Sequence, residues 1–256
     1  MMYQLGIDIG SRNSKILIFD SDKESIIYSQ YQTTAVDCLS GVGNLLDQAM
    51  RAMKLTSSDL GSSCVTGYGR KLYREANYTK SEISCHAAGC LFFFPEARTI
   101  IDIGGQDSKV ICLDSTHRVK EFVMNDKCAA GTGRFLEMTA IRLERQLSDL
   151  AILAAQSDKE VLLNSTCVVF AESEIIGLLS KGESPYNIAR AVHLSIARRI
   201  YAQMAPIPWE PPVVFTGGVA LNSDIAFCLA KILDTDIEIP PDPEVTGALG
   251  AAILAV

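Results

Sequence analysis

The feature of this chain that most constrains its fold is an internal repeat. Sliding the sequence by 94 residues lays Ile7 to Ser21 over Ile101 to Ser115 with 8 identities in 15 positions, among them Asp8/Asp102, Gly10/Gly104, Ser14/Ser108 and Lys15/Lys109. Each copy reads as a β-branched strand, a glycine-containing polar turn and a second strand running to an Asp-Ser turn, which is the pattern of a β-hairpin. A chain that carries one hairpin twice is expected to be a duplicated pair of domains.

Helical patterns follow each copy. Leu39, Val42, Leu45, Leu46, Ala49 and Met53 share one face of a helix over 38–53, and a shorter apolar helix is predicted over 84–93, before Pro95. In the second half, Phe135, Leu136, Thr139, Leu143 and Leu147 predict a helix over 133–147, and Pro185 opens another through Ile200. Strands are expected at 212–216 and 236–239, then an apolar helix over 245–256. Alternation of this kind implies an α/β fold with mixed sheets covered by helices. The expected domains are 1–96, with the terminal helix packed back onto it, and 97–244.

The chain has 256 residues, 48% apolar and 21% charged, which excludes disordered, collagen-like and coiled-coil classes. No run without Asp, Glu, Lys or Arg exceeds 13 residues, the length of the one from Ile83 to Pro95, whereas a spanning helix needs about 18 or more. No basic, apolar leader is visible at the start, so a cytoplasmic protein is expected. With 23 basic and 30 acidic residues the net charge is −7, and the basic residues are scattered, so neither nucleic acid nor a membrane is an expected partner. The eight cysteines are therefore expected to be core fillers, metal ligands or redox groups rather than disulfides.

Asp-x-Gly at a strand end, occurring twice, suits a triphosphate gripped from two sides. Glycines let backbone N–H groups approach phosphate, and Asp8 and Asp102 can hold a hydrated Mg2+. A third glycine element, Gly217-Gly218-Val219-Ala220-Leu221-Asn222, follows a strand and suggests a floor for an adenosine, with Asn222 available for hydrogen bonding. No Gly-x-x-x-x-Gly-Lys-(Ser/Thr) occurs, which removes the P-loop class. Cys128, beside Lys127 and ahead of a helix, is a candidate metal ligand or reactive sulfur. Cys167 lies in an apolar stretch where the pattern alone reads as core. Cys85, His86 and Cys90 could form a metal constellation, but C-x4-C on a helix converges poorly and reads better as a buried face. Cys38, Cys64, Cys112 and Cys228 also read as core, and neither His117 nor His193 has a triad-like context.

Taken in order, Asp8 to Ser11, Thr66-Gly67-Tyr68-Gly69-Arg70, Glu82 to His86, Asp102 to Lys109, Asn125 to Phe135, Val169 to Glu174 and Phe215 to Asn222 resemble the activator component of 2-hydroxyacyl-CoA dehydratases. That family includes the ATPase subunits of benzoyl-CoA reductase and the reductases of double-cubane-cluster proteins. The resemblance implies the duplicated, ribonuclease H-like ATPase fold of actin, sugar kinases and heat-shock ATPases. It also implies a homodimeric, oxygen-sensitive ATPase that uses MgATP to push single electrons onto an iron-sulfur dehydratase or reductase, with ferredoxin or flavodoxin as donor. One [4Fe-4S] cluster per dimer takes two cysteines from each subunit, and the matching positions are Cys128 and Cys167. The nucleotide residues that carry over are Gly10, Ser11, Asn13, Ser14 and Lys15 in the first phosphate loop, and Gly104, Gly105, Gln106, Asp107 and Lys109 in the second. Gly131 and the adenosine element at Gly217, Gly218, Val219 and Asn222 complete the set. Asp8, Asp102 and a water-orienting Gln106 are the expected hydrolytic groups. Arg12 departs from the family's usual threonine and is expected to face solvent. The rival readings are a small-molecule kinase of the same superfamily and a nucleotide-binding assembly module without turnover.

Overall fold

In a computed structural model, residues 2–163 and 167–256 are described, and the chain divides into two compact units. The first comprises residues 1–97, 113–119 and 240–256; the second comprises 98–112 and 120–239. Among the described residues no helix is long and apolar enough to cross a membrane.

The first unit is built on a five-stranded sheet of order β3-β2-β1-β4-β5. Strands β1 (Tyr3–Ile9) and β2 (Asn13–Asp20) form the antiparallel hairpin that the repeat predicts, with Asp8 opposite Lys15. β3 (Ser25–Thr33) extends the hairpin on one side; on the other, β4 (Leu60–Thr66) runs parallel to β1, and β5 (Tyr78–Thr79) parallel to β4. Helix α1 (Cys38–Met53) is capped by Asp37, whose side chain accepts from the Ser40 N–H at 3.2 Å, and it buries Val42, Leu45 and Ala49 as its periodicity requires. Helices α2 (Glu82–Phe93) and α8 (Thr246–Ile253) pack together, and α8 also lies against β1. The approach is close enough that a Cβ on Gly6 would stand 1.9 Å from the Ala248 carbonyl.

The second unit repeats the plan. Its sheet has the order β10-β9-β6-β7-β8, in which β6 (Thr99–Ile103) and β7 (Ser108–Leu113) form the second hairpin, with Asp102 opposite Lys109. β8 (Val119–Asn125) borders that hairpin; β9 (Val213–Thr216) runs parallel to β6, and β10 (Ile237–Glu238) parallel to β9. β6 and β7 are buried at every residue. Between β8 and β9 stand α3 (Gly133–Arg142), α4 (Asp149–Ala155), α5 (Val168–Ser180) and α6 (Pro185–Met204), and α7 (Ser223–Leu233) joins β9 to β10. α6 is the central support, burying Ile188, Val192, Ile196 and Ile200.

The helix expected over 133–147 stops early. Glu144 takes a left-handed φ of 53°, and the Arg145 N–H folds back to the Ala140 carbonyl at 2.9 Å, closing the end after Arg142. Leu147 is consequently exposed rather than part of the apolar face. Strands β3, β4, β5 and β8 and helices α4 and α5 have no counterpart in the sequence reading; β3 is half-buried without clean alternation, β5 is two residues long, and α5 is apolar around much of its circumference.

Candidate functional site

The two hairpin turns share one construction. In the first, the Gly10 N–H donates to the Asn13 carbonyl at 3.1 Å; in the second, the Gly104 N–H donates to the Asp107 carbonyl at 2.9 Å. Asp8 sits directly across the ladder from Lys15 and pairs with it at 2.8 Å; Asp102 pairs with Lys109 at 3.1 Å, and Lys109 also reaches Asp107 at 2.6 Å. The Asp102–Lys109 pair is buried, with side-chain exposures of 4% and 3%, so each charge relies on the other. Both lysines expected to meet phosphate are thus directed back onto aspartates. Ser11, Arg12 and Gln106 are exposed at the turn tips. In the first loop, Ser14 Oγ and Thr34 Oγ1 lie 3.0 Å apart, and Asn13 donates to Glu244 at 3.4 Å.

The glycine element after β9 has a counterpart after β4 that the sequence reading did not assign. Thr66 aligns with Asp8 across the β1–β4 ladder as Thr216 aligns with Asp102 across β6–β9. The next residues, Gly67 and Gly217, have φ of 91° and 86°, conformations open essentially to glycine alone. A Cβ on Gly67 would meet Asp8 Oδ1 at 2.4 Å and the Ile9 carbonyl at 2.5 Å; on Gly217 it would meet the Ile103 carbonyl at 2.5 Å and Asp102 Oδ1 at 2.6 Å. Each glycine therefore lets a strand end pass over the metal-candidate aspartate of its own unit. Thr-Gly at the end of a strand is the signal that could have paired them. Gly217→Ala is expected to cost about 2–3 kcal/mol from backbone strain and carbonyl contact. That corresponds to a melting temperature lower by roughly 4–12 °C. A melt unchanged from wild type would show that the loop can move aside.

Asn222 is not available in the way the sequence suggests. Its Oδ1 caps α7 by accepting from the Asp224 and Ile225 N–H groups, each at 3.1 Å, and its Nδ2 lies 3.2 Å from His193 Nε2. His193 Nδ1 in turn lies 2.7 Å from Asp224 Oδ2, and Arg190 completes the group at 2.8 Å from Asp224 Oδ1. Burial holds the His193 pKa below its ordinary 6.5, against the pull of Asp224, so the ring is neutral. Neutral His193 donates from Nδ1 to Asp224 and accepts Asn222 at Nε2. Asn222 thus shapes the Gly217–Leu221 turn rather than offering its amide outward.

The cysteines separate by exposure. Cys64, Cys85, Cys90, Cys112 and Cys228 are buried and Cys38 is half-buried, whereas Cys128 is half-buried and Cys167 exposed. The core reading of Cys167 is therefore corrected: it stands exposed at the residue before α5, whose Val169 and Phe170 are also exposed. The neighbouring Asn164, Ser165 and Thr166 lie outside the described residues. Cys128 is bracketed by Asn125, which accepts from its N–H at 3.0 Å and donates to its carbonyl at 2.8 Å, and Arg199 donates to its sulfur at 3.9 Å. Gly131 is buried, facing the Arg199 arm. Cys85, His86 and Cys90 all lie buried on α2. A hydrogen bond with Cys64, reinforced by burial, raises the Cys85 pKa and keeps it a thiol. Among the described residues no group of three His, Cys, Asp or Glu side chains is arranged to hold a metal ion.

Two hydrogen bonds join the second hairpin turn to the segment that follows Cys128. The Gly133 and Arg134 N–H groups, which follow the Cys128 turn, donate to the Gly104 and Gly105 carbonyls of the second loop at 2.9 Å each. α3 begins at this junction, and its Arg142 pairs with Glu172 on α5.

Two mixed sheets of equivalent strand order, each with an Asp-x-Gly hairpin beside a Thr-Gly strand end, define an ATPase of the actin-like class. The profile of the BadF/BadG/BcrA/BcrD ATPase family matches residues 5–255. The chain belongs to that family and is an ATPase of it. It is 47% identical over 254 residues to the activator of lactoyl-CoA dehydratase from Anaerotignum propionicum, covering 99% of this chain and 97% of that protein. The activator of 2-hydroxyisocaproyl-CoA dehydratase from Clostridium difficile, solved with bound ADPNP, superimposes with a TM-score of 0.94 at 44% identity, over 99% of this chain and 94% of that one. Component A of (R)-2-hydroxyglutaryl-CoA dehydratase from Acidaminococcus fermentans gives a TM-score of 0.95 at 41% identity, over 100% and 98%.

Proposed function

We propose that this chain is the ATP-driven one-electron donor of an iron-sulfur acyl-CoA dehydratase or reductase, acting as a homodimer around one [4Fe-4S] cluster held by Cys128 and Cys167 of each copy. The observation that carries the reading is the pair of backbone hydrogen bonds from Gly133 and Arg134 to Gly104 and Gly105. Through it, a change in the phosphate loop is transmitted directly to the turn that bears Cys128.

The residues present fit such a group. Two sulfur donors in accessible positions are half of a four-thiolate set, and a twofold axis supplies the other half. On α5, which follows Cys167, the apolar Val169, Phe170 and Ile176, and on α3 Ile141, are exposed and suited to being covered by a second copy. Asp8 and Asp102 are hard oxygen donors, and Mg2+ is characteristically held by one or two carboxylates together with phosphate oxygens and waters. When bound, the cluster supplies a one-electron carrier and Mg2+ offsets the charge of the phosphates. Lys15 and Lys109 pair with the two aspartates, the loop glycines admit the phosphates, and Gln106, exposed at its turn, orients the attacking water. A ferredoxin or flavodoxin serves as donor to the protein.

The test uses protein isolated without oxygen and reduced chemically. The reduced chromophore is expected to be discharged by a 2-hydroxyacyl-CoA dehydratase only when MgATP is present and hydrolysed. Protein that lacks an iron-sulfur chromophore and transfers the γ-phosphoryl group to a small hydroxyl compound instead would replace this reading with the kinase alternative.

A further inference from the structure

We propose that Arg199 is a positioning residue for the Cys128 sulfur and sets the reduction potential of the cluster bound there. This inference rests on the reading of Cys128 as an iron ligand. Arg199 lies on α6, 71 positions from Cys128 in sequence, and its Nη1 donates to Cys128 Sγ at 3.9 Å, within the longer range of N–H to sulfur contacts.

The placement is built into the fold from three sides. Gly131 borders the arginine arm, a Cβ there standing at ordinary contact distance, 3.6 Å from Arg199 Cδ and 3.8 Å from its Cβ. Asn125 clamps the backbone of Cys128 from the other direction. One turn along α6, Gln203 lies 3.1 Å from Ser108 Oγ and donates to the Ser108 and Val123 carbonyls at 3.3 and 3.4 Å. That anchorage ties the helix to the start of β7 and to β8, the strand that leads into the Cys128 turn. The adjacent Arg198 makes the contrast plain, since it is exposed and pairs with Glu160 on the surface. Arg199 is instead turned toward sulfur.

A guanidinium in this position has two effects. It fixes the direction of Sγ, and it places a positive charge and an N–H donor on a ligand whose group becomes more negative when reduced. Hydrogen bonds to the sulfurs and local charge are the levers by which proteins tune such clusters. The redox step is the entry of a single electron from an external reductant, with no bond made or broken at Arg199. Removing the cation leaves the added electron less compensated, so the potential falls.

The experiment compares wild type, Arg199→Gln and Arg199→Lys, prepared without oxygen, by iron content, by mediated redox titration, and by ADP binding as a check on folding. Arg199→Gln is expected to keep its iron and lower the midpoint by an amount equivalent to at least a tenfold change in the reduction equilibrium, 59 mV for one electron. Arg199→Lys keeps the charge but not the fork, and part of that fall is expected. Midpoints equal to wild type in both variants, with iron retained, would overturn the role of Arg199. Should Arg199→Gln fail to bind ADP, the lysine variant decides: a lowered midpoint supports the role and an unchanged one overturns it. Wild-type protein without a cluster would instead overturn the reading of Cys128, before Arg199 is tested.

Discussion

Anaerobically prepared protein is expected to carry about four irons per two chains, and Cys128→Ser or Cys167→Ser is each expected to abolish that iron, because a four-thiolate cluster shared across a twofold loses two ligands with either change. The loss should be close to complete rather than half, since five of the other six cysteines are buried and the half-buried Cys38 lies on α1 of the first unit. Cys64, Cys85, Cys90 and Cys228 are fully buried, and Cys112 nearly so. Burial pushes the Cys228 thiol up to about 12, so it stays protonated and is a poor iron ligand. Cys85→Ser and Cys90→Ser, which alter a buried face of α2, should leave iron unchanged. Iron and sulfide analysis with gel filtration under nitrogen checks the expectation. Full iron in either the Cys128 or the Cys167 variant, or a complete cluster in an isolated monomer, contradicts the bridging arrangement.

Asp102→Asn should reduce ATP turnover by roughly a hundredfold or more, the scale on which an active site loses a charged group acting on its reacting phosphate. The carboxylate stands at the end of β6, next to the second loop. Its Oδ2 is paired with Lys109, while Oδ1 lies beneath Gly217, where a Cβ would be 2.6 Å away. Removing one member of a buried ion pair commonly costs about 3–5 kcal/mol, which would confuse loss of activity with loss of fold. Here the cost is limited, because Lys109 keeps Asp107 at 2.6 Å and asparagine preserves the shape of the side chain. Nucleotide binding and melting should therefore stay near wild type while phosphate release collapses. Turnover retained at the wild-type rate would remove Asp102 from the hydrolytic machinery.

Much of the site was legible in the sequence because its parts are local. An Asp at a strand end, a glycine turn and a lysine seven residues on specify a hairpin, and the hairpin's register alone brings Asp8 to Lys15 and Asp102 to Lys109. The repeat became illegible where its spacing changed. α3 to α6 stand between the second hairpin and β9, whereas α1 alone separates β3 from the structured turn before β4, so a fixed slide could not align Thr66-Gly67 with Thr216-Gly217. Arg12, whose departure from the family pattern stood out, is exposed at its turn as expected.

By itself, then, the sequence determined the duplication, the two hairpins, the amphipathic α1 and the proline-opened start of α6, all of which follow from periodicity and from residues within a few positions of one another. Tertiary structure decided the rest. Val168-Val169-Phe170 reads as core by composition, yet α5 turns Val169 and Phe170 outward beside an exposed Cys167, because burial depends on which face meets the rest of the fold. Asn222 looked available until α6 brought His193 to its amide, and the Arg199 contact to Cys128 joins residues that no local pattern links. Such pairings arise only when α6 packs across its own sheet, since the partners of a buried polar group are chosen by packing over long sequence separations rather than by neighbours along the chain.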